Sequence, residues 1–436
     1  MIKVGIIGFG TVGAGVVRIL IEKASELEAK LGFPIVIKRI ADLDIKRDRG
    51  IAVSADILTT RAEDILDDPS IDIVVELIGG MNPAKDFILR AIEKGKHVVT
   101  ANKALLALEG EDIFYAAEKK GAEVGFEASV AGGIPIIKAI KEGLPANRIN
   151  SIYGIINGTS NYILTRMTNE GMEFPDALME AQRLGYAEAD PTLDIEGIDS
   201  AHKLTILSAI AFGIPLSYNE IYREGIKGLS SLDIGFALEF GYKIKLLAIA
   251  KRSNSEVELR IHPTMLPLNY LIAQVDGVYN AIYIDGDSVG STLFYGRGAG
   301  DMPTGSAVVS DIIDIGRNIT SGSIRRIPPM GTSKRMPLKI RAMDDVYSRY
   351  YFRFSALDKP GVLSKISGVL GANNISIASV IQKGRKQGEA VPLVMMTHDA
   401  LERDVRHALK EIDKLPVVAD KTVYIRVEGG EGNATG

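Results

Sequence analysis

The amino terminus places a short apolar run, a glycine turn and an amphipathic helix in direct succession, and this order leaves few folds open. Residues 2–7 are IKVGII, and GFGTVG follows without a gap. Apolar residues then recur at Val12, Val16, Ile19 and Leu20, which is the period of a helix. A strand, a tight turn and a helix in this order are typical of the first unit of a doubly wound parallel sheet.

The glycines of this turn match the G-x-G-x-x-G pattern of dinucleotide-binding folds. Gly8 permits the tight turn, Gly10 lets a pyrophosphate approach the backbone, and Gly13 allows close packing of the helix. With Thr11 and Val12, these residues would place the phosphates at the helix N-terminus. The alternative is a turn without a ligand, but its position directly between a strand and a helix favours a dinucleotide site.

Four further apolar runs continue the alternation of strands and helices. They lie at residues 35–41, 71–78, 96–102 and 122–130. Strands that alternate with helices predict an α/β fold with a Rossmann-type, doubly wound parallel sheet. We expect this dinucleotide-binding domain to cover residues 1–130, with a returning segment at residues 299–320.

The remaining chain divides into smaller units. Residues 131–298 mix helices and strands and are interpreted as an α+β substrate-binding and dimerisation domain. Pro, Arg and Ser dominate residues 321–347, as in a linker. Residues 348–428 have the predicted order βαββαβ, and the tail GGEGNATG at residues 429–436 is expected to be disordered.

The composition excludes several classes of protein. The 51 Lys and Arg nearly balance the 55 Asp and Glu, so neither nucleic acid nor an anionic membrane is an expected partner. The absence of Cys excludes disulfides and cysteine nucleophiles and fits a reducing compartment. The first apolar stretch is too short to span a membrane and lacks a cleavage site, so a cytoplasmic location is expected.

Asp42 ends the second strand, where a carboxylate would accept hydrogen bonds from the adenosine ribose. A solvated loop carboxylate is an equal alternative. Lys46, Arg47 and Arg49 follow, and they could instead bind a 2′-phosphate. The residues therefore leave the choice between NAD and NADP open.

The densest group of charged residues is GYAEADPTLDIEGIDSAHKL, at residues 185–204. Asp199 and Lys203 are four residues apart and share one face of a helix. Alone, such a pair is most often a surface salt bridge worth about 0.3–0.5 kcal/mol. His202 points about 100° away from Lys203 and is interpreted as a packing residue. An ammonium group beside a developing alkoxide stabilises its charge and supplies a proton, so Lys203 suits the reduction of an aldehyde by hydride.

Five longer motifs give this segment a context. GFGTVG, ANKALLA, NGTSNYIL, GYAEADPTLDIEGIDSAHK and GRGAGDMPTGSAVVSD occur in the order and approximate spacing of homoserine dehydrogenases, which the chain resembles over residues 1–318. The resemblance implies reversible NAD(P)H-dependent reduction of L-aspartate 4-semialdehyde to L-homoserine, in threonine, methionine and isoleucine biosynthesis. It also implies a homodimer or a higher homo-oligomer.

The resemblance implies roles for particular residues. Lys203 becomes the proton donor and acceptor, with Asp199 beside it and Lys103 between the nicotinamide and the substrate. Gly300 would contact the cofactor from the far side. Where the family frequently has a basic residue near the end of the second strand, this chain has Asp42, which puts a preference for NADP in doubt.

The substrate is a zwitterion, and its ammonium group needs a carboxylate. Gly185 and Glu188 are implied as contacts of the amino-acid end, and Asp194 is also available. A dehydrogenase for another amino-acid aldehyde would keep the glycine turn but change the partners of Glu188 and Asp199. A non-catalytic sensor of dinucleotides or amino acids would not need Lys203 and Asp199.

Family members hold a monovalent cation, Na⁺ or K⁺, with one acidic side chain and nearby carbonyl groups. The matching positions are Glu127, Val130, Gly132 and Ile134. The alternative for Glu127 is a carboxylate at a strand end that binds a helix terminus.

The C-terminal segment with DKPGVLSKISGVL resembles an ACT domain, a module that binds small amino acids. Pro360 and Gly361 open its first helix, and Asn373 and Asn374 end it. The resemblance implies an amino-acid effector, and threonine is the expected one. The alternative is a domain that only contributes to dimerisation.

Overall fold

The structure is a computed structural model that describes residues 1–382 and 389–429. The predicted disorder of residues 429–436 lies outside these described residues except for Gly429. No helix within the described ranges is long and apolar enough to cross a membrane.

The amino-terminal domain confirms the predicted parallel sheet. Its strands are β1 (Ile2–Ile7), β2 (Ile35–Ala41), β3 (Leu58–Thr59), β4 (Ile73–Glu76), β5 (His97–Thr100) and β6 (Val124–Gly125). Its helices are α1 (Thr11–Glu22), α2 (Ala24–Leu31), α3 (Glu63–Leu66), α4 (Ala84–Glu93) and α5 (Lys103–Lys120), with a 3₁₀ turn at Ala55–Ile57. The strand order is β3-β2-β1-β4-β5-β6, and every pairing is parallel. This order reverses between β1 and β4, the point where dinucleotides bind in Rossmann folds.

The predicted strand at residues 122–130 is wrong beyond Gly125. The chain turns there into a 3₁₀ helix at Glu127–Ser129. The backbone N–H of Glu127 donates to Asp311 Oδ2 at 2.8 Å instead of to a neighbouring strand. A side-chain acceptor on a distant helix therefore replaces the hydrogen bonds that a neighbouring strand would provide. The pattern of apolar residues along the chain does not reveal such a long-range contact.

The middle of the chain is the predicted α+β unit. Its strands are β7 (Ile149–Ile155), β8 (Tyr222–Arg223), β9 (Tyr242–Ser253), β10 (Glu256–Pro267), β11 (Tyr279–Gly286) and β12 (Gly290–Arg297). Its helices are α6 (Ile136–Lys138), α7 (Gly158–Glu170), α8 (Phe174–Arg183), α9 (Thr192–Ile195), α10 (Ile198–Phe212) and α11 (Ser231–Glu239). A π-helical turn at Ala139–Gly143 continues α6, and 3₁₀ turns lie at Tyr218–Glu220 and Leu271–Gln274. α12 (Asp301–Ser321) then returns to the Rossmann domain and packs against α1.

The C-terminal unit has the predicted βαββαβ order. It comprises β14 (Tyr347–Leu357), α13 (Val362–Ala372), β15 (Ile377–Gln382), β16 (Ala390–Thr397), α14 (Glu402–Ile412) and β18 (Val418–Val427). The short strands β13 (Lys339–Ile340) and β17 (Ala400–Leu401) and a 3₁₀ turn at Met343–Asp345 complete the elements. Its strands continue the sheet of the middle unit, in the order β12-β11-β7-β9-β10-β18-β14-β16-β15. The expected linker lies along the same sheet, because β13 pairs with β10.

Candidate active site

The glycine turn connects β1 to α1 at the carboxyl edge of the parallel sheet. Gly8 has a φ of +105°, and a Cβ there would lie 2.7 Å from the carbonyl carbon of Leu77. A Cβ on Gly13 would lie 2.2 Å from the carbonyl oxygen of Gly8. A Cβ on Gly10 would meet no atom of the described chain within 4 Å. The fold itself therefore requires glycine at positions 8 and 13, whereas Gly10 keeps a space open beside the turn.

The residues around that space fit a dinucleotide. α1 begins at Thr11 and Val12, carries no acidic side chain in its first turn, and receives no side-chain cap. Its first N–H groups and the positive end of its dipole suit a pyrophosphate. α12 crosses α1 closely, since a Cβ on Gly15 would lie 2.2 Å from the carbonyl oxygen of Asp301. This crossing brings the preceding residue, Gly300, to the side of the turn.

Asp42 lies beside the glycine turn but already has partners. Its Oδ2 accepts the N–H of Phe9 at 2.6 Å, and its Oδ1 accepts the N–H of Asp44 at 2.9 Å. The guanidinium of Arg49 lies 3.3 Å from Oδ1 and 4.5 Å above the Phe9 ring. The carboxylate of Asp42 and one member of the basic run, Arg49, therefore meet beside the glycine turn.

α10 carries the predicted lysine–aspartate pair. It begins after Gly197, whose φ of +75° lets the chain turn sharply from α9. Lys203 Nζ donates to Asp199 Oδ2 at 2.6 Å and to the carbonyl oxygen of Ile156 at 2.7 Å. Lys103 Nζ lies 3.1 Å from Asp199 Oδ1. One carboxylate thus joins two ammonium groups from different domains.

Lys103 and Asp199 line a cavity of about 300 Å³ between the Rossmann domain and the middle unit. The Rossmann domain contributes Lys103 and the turn at Gly79 and Gly80. The middle unit contributes Glu188, Asp190, Leu193, Asp194, Asp199 and His202. Lys203 is buried behind Asp199 with 11% of its side chain exposed, whereas 40% of the Lys103 side chain is exposed.

Burial and charge set the ionisation of the cluster. Burial lowers the pKa of Lys203, and the neighbouring Lys103 adds to this effect, while Asp199 opposes it. Burial alone would raise the pKa of Asp199, but Lys203 and Lys103 outweigh it and hold the pKa far below its ordinary value. Burial raises the pKa of Asp194. The cluster therefore combines a firmly ionised carboxylate with a lysine that releases its proton more readily than usual.

The other predicted residues occupy the rim. Glu188 is exposed and lines the cavity, and Gly185 follows α8 in an exposed turn with a φ of +76°. His202 stacks on Tyr218 with 4.8 Å between ring centroids, as its interpretation as a packing residue predicted. Burial lowers the pKa of His202 to about 4, so this ring is neutral at physiological pH.

The proposed cation position is a separate buried cluster. Both carboxylate oxygens of Glu127 accept backbone N–H groups at the start of α6, from Ile137 and Lys138, each at 2.8 Å. The alternative interpretation of Glu127, a carboxylate at a helix terminus, thus describes its contacts. Burial raises the pKa of Glu127 to about 7, helped by Asp311. The described ranges contain no group of three or more His, Asp or Glu side chains arranged to hold a metal ion.

Sequence reasoning missed two polar residues at the site. Asn157 caps α7 and donates to two of the predicted carboxylates. Glu76, fully buried at the end of β4, accepts the N–H groups of Ile78 and Gly79 and the hydroxyl of Thr100. The position of Glu76 at the end of a buried parallel strand was the available signal, because side chains there meet at the carboxyl edge of the sheet. Asn157 follows β7 of the other sheet, and no comparable signal marked it.

A Rossmann sheet with an open phosphate cradle, facing a lysine–aspartate pair across a cavity, defines a nicotinamide-dependent oxidoreductase. Family models match in three segments: the NAD-binding domain of homoserine dehydrogenase at residues 8–127, homoserine dehydrogenase at residues 135–313, and the ACT domain at residues 350–417. The chain belongs to the homoserine dehydrogenase family. It is accordingly an oxidoreductase of amino-acid biosynthesis that uses NAD(P).

Individual relatives agree over nearly the whole length. The chain is 49% identical to a homoserine dehydrogenase of Pseudomonas aeruginosa over 98% of this chain and 99% of that protein, and 47% identical to one of Neisseria gonorrhoeae over 98% of each. A crystal structure of a homoserine dehydrogenase from Thiobacillus denitrificans superimposes with a TM-score of 0.93 at 50% identity, covering 98% of both chains. The predicted family and the ACT domain are therefore confirmed.

Proposed function

We propose that Lys203 is the proton donor in the reduction of L-aspartate 4-semialdehyde to L-homoserine, and the proton acceptor in the reverse direction. The observation that carries this role is its pair of hydrogen bonds to Asp199 and to the Ile156 carbonyl. They use two of the three ammonium N–H groups and leave one for a substrate oxygen. Burial lowers the pKa of Lys203, which brings it closer to the pH at which general acids work best.

The chemistry divides between cofactor and protein. A bound nicotinamide supplies the hydride that adds to the aldehyde carbon. Lys203 stabilises the charge developing on the aldehyde oxygen and transfers its proton there, which gives the alcohol. Asp199 holds Lys203 in line, and solvent returns the proton to the lysine. Lys103 lies on the cavity side of Asp199 and orients the substrate against the nicotinamide.

Lys103 is a second candidate for the donor. It lines the cavity, whereas Lys203 lies behind Asp199. Parallel replacement of each lysine by Arg, described in the Discussion, separates the two roles.

Substrate recognition falls to the acidic rim. Glu188 and Asp194 line the same cavity as Lys103, where one of them can pair with the ammonium group of the substrate. Gly185 leaves room beside them, because no described atom lies within 4 Å of its added Cβ. Glycines 8, 10 and 13 with Thr11, Val12 and Gly300 hold the dinucleotide, and Asp42 faces its ribose.

A monovalent cation, Na⁺ or K⁺, would bind Glu127 and the carbonyl groups of Val130, Gly132 and Ile134. The support is the matching motif and the burial of the Glu127 carboxylate, which is 1% exposed. The N–H of Gly133 donates to the carbonyl oxygen of Arg297 at 3.1 Å, so this segment lies against the strand that leads to α12. We expect Na⁺ or K⁺, compared with tetramethylammonium at equal ionic strength, to raise the Tm of the parent protein but not that of Glu127→Gln.

The ACT domain is proposed to bind threonine, an amino acid of the pathway. A cleft of about 500 Å³ opens between the β14–α13 loop and the adjoining strands, lined by Asp358, Lys359, Gly361 and Gln382 among others. In the described part of the chain, one carboxylate oxygen of Asp358 is buried without a hydrogen-bond partner. A carboxylate and an ammonium group in one cleft suit the two charged ends of an amino acid.

The functional units are proposed to be residues 1–130 with 299–320, 131–298, a linker at 321–347, and 348–428, in a cytoplasmic homodimer or larger homo-oligomer. The activity is tested by steady-state oxidation of homoserine with NAD and NADP side by side. Turnover of homoserine is expected with at least one cofactor. Preference for a different amino alcohol would favour a dehydrogenase for another amino-acid aldehyde, and the absence of any turnover would favour a sensor.

A further inference from the structure

Asn157 lies where β7 leads into α7, with only 5% of its surface exposed. Its side-chain oxygen caps α7 by accepting the N–H of Ser160 at 2.8 Å. An N-cap needs an acceptor, so this contact fixes the orientation of the amide. The side-chain NH₂ of Asn157 must therefore point the other way, toward the active site.

That NH₂ group connects two carboxylates of the site. It donates to Asp194 Oδ1 at 2.6 Å and to Asp199 Oδ2 at 2.9 Å. The two hydrogens of one amide are thus shared between a carboxylate of the cavity rim and the carboxylate that holds Lys203. Without a donor between them, two adjacent negative charges would repel each other.

From this bridge we propose that Asn157 is a positioning residue, which holds Asp194 at a fixed separation from the Asp199–Lys203 pair. The proposal rests on the function proposed above, in which Asp194 binds the substrate ammonium group and Lys203 the reacting oxygen. The ammonium group and the aldehyde belong to one short molecule, so both ends reach their partners only if this separation is correct.

The bridge also affects the charge of Asp194. Burial raises the pKa of Asp194, and the hydrogen bond from Asn157 opposes this rise. The charged and titratable groups facing Asp194 are Glu188 and Asp190 of the rim, Asp199, His202 and Lys203 of α10, and Lys103 of α5. None of these is changed by a substitution at Asn157, so the effect of the bridge can be isolated.

The test is Asn157→Ser, which keeps an oxygen to cap α7 but is too short to bridge the carboxylates. Asn150→Ser is the matched control, because Asn150 on β7 makes one hydrogen bond of 3.0 Å to Asp285, away from the site. Loss of a hydrogen bond to a charged group predicts at least a tenfold fall in kcat/KM for homoserine, about equal to 1.4 kcal/mol. The Kd of the dinucleotide should stay at its parental value in Asn157→Ser. The kcat/KM of the control variant Asn150→Ser should also stay parental.

The pH profile separates positioning from a merely structural role. With the donor removed, Asp194 protonates more easily, so the acid limb of kcat/KM should move to higher pH in Asn157→Ser. The double variant Asn157→Ser/Asp194→Asn should be no worse than Asp194→Asn alone, because both changes act on one contact. A shifted acid limb together with this non-additivity would support the proposal.

Four outcomes overturn it. Parental kcat/KM in Asn157→Ser, with Asp194→Asn impaired, refutes the positioning role and leaves the proposed substrate site intact. Parental kinetics in Asp194→Asn refute both. Additive losses with an unmoved acid limb show that Asn157 serves only as a helix cap. If Asn157→Ser does not fold, the isosteric Asn157→Asp is used, which keeps the cap and replaces the donor by a third negative charge. A parental kcat/KM in that variant also refutes the proposal.

Discussion

The ammonium group of Lys203 donates to Asp199 Oδ2 at 2.6 Å, one helical turn away on α10, and both side chains are buried. Removing one partner of such a pair leaves an uncompensated charge, which typically costs about 3–5 kcal/mol. Burying an ion pair costs desolvation free energy, so such a pair is a poor means of stabilising a helix. Its position at the end of the cavity, with Lys103 on the other carboxylate oxygen, instead matches a proton-transfer site.

Gly10→Val is expected to abolish dinucleotide binding without unfolding the protein. The added side chain meets no described atom of the chain and occupies the space beside the turn that the pyrophosphate needs. Calorimetric titration with NADH measures the effect, and the loop variant Gly228→Val, where the space is also open, is the control. An unchanged Kd in a folded Gly10→Val protein would refute the assignment of the turn.

Asp42 is expected to make NAD at least as good a cofactor as NADP. The two carboxylate oxygens accept the N–H groups of Phe9 and Asp44, so the isosteric Asp42→Asn, which keeps one acceptor, disturbs the loop less than Asp42→Ala would. Asp42→Asn should shift the ratio of kcat/KM toward NADP. Asp44→Asn, which alters an exposed neighbouring carboxylate, is the control. A parent enzyme that favours NADP by a hundredfold, about 2.7 kcal/mol, would show that Arg49 and the basic run decide the preference.

Stability in acid should depend on Glu428, at the joint between the ACT domain and the middle unit. Burial alone would raise its pKa, but Lys251 and Arg260 outweigh burial and lower the pKa to about 2. Because this pKa lies below the unfolded value of about 4.3, the stabilisation is complete above that pH and declines as the pH falls toward 2. The contribution of ionised Glu428 to the free energy of unfolding is on the order of 3 kcal/mol. Urea unfolding between pH 2.5 and 6 should show this loss in the parent but a flatter profile in Glu428→Gln.

Threonine is expected to bind the full-length enzyme and to change its activity, through differential affinity for two states. Asp358→Asn should abolish binding while leaving turnover without threonine unchanged. Calorimetry and inhibition curves measure the two effects, and Asp399→Asn, outside the cleft lining, is the control. If the parent neither binds nor responds to threonine, the domain is structural or serves another ligand.

Truncation before β14 is a poor test of regulation, because the ACT domain and the middle unit share one sheet. The carboxylate of Glu428 in the ACT domain accepts hydrogen bonds from Arg260 and Lys251 of the middle unit, and β18 pairs with β10. Alternating patterns predicted β18 but named no strand at the position of β10. They did not predict that the two sheets are one, because pairing between strands more than 160 residues apart depends on packing, not on local periodicity.

The same difference between local periodicity and long-range packing decides which active-site residues could be predicted. The face shared by Asp199 and Lys203 was predictable because four residues are about one turn of helix. Asn157 was not, because its contact with Asp199 spans 42 residues and depends on how α7 meets α10. The resemblance included NGTSNYIL among its motifs but assigned no role to its cap residue, Asn157.

Replacing Lys203 should separate catalysis from structure most directly. Lys203→Ala removes the proton and the stabilising charge, and loss of general acid catalysis typically lowers kcat by about 10²- to 10⁴-fold. Lys203→Arg is the sharper change, because guanidinium keeps the positive charge beside Asp199 but does not readily release a proton. Dinucleotide affinity should stay near parental in both variants, since other residues form that site.

The control is Lys245→Arg, which alters another buried lysine, 2.9 Å from Asp276 and remote from the cavity. A merely structural ion pair would survive Lys203→Arg as well as Lys245→Arg, so only a proton donor predicts a large fall in kcat for the first alone. Turnover should be measured from pH 6 to 10, to include conditions under which lysine deprotonates. If Lys203→Arg keeps near-parental kcat across this range while Lys103→Arg loses it, Lys103 is the donor and Lys203 only holds Asp199 in place.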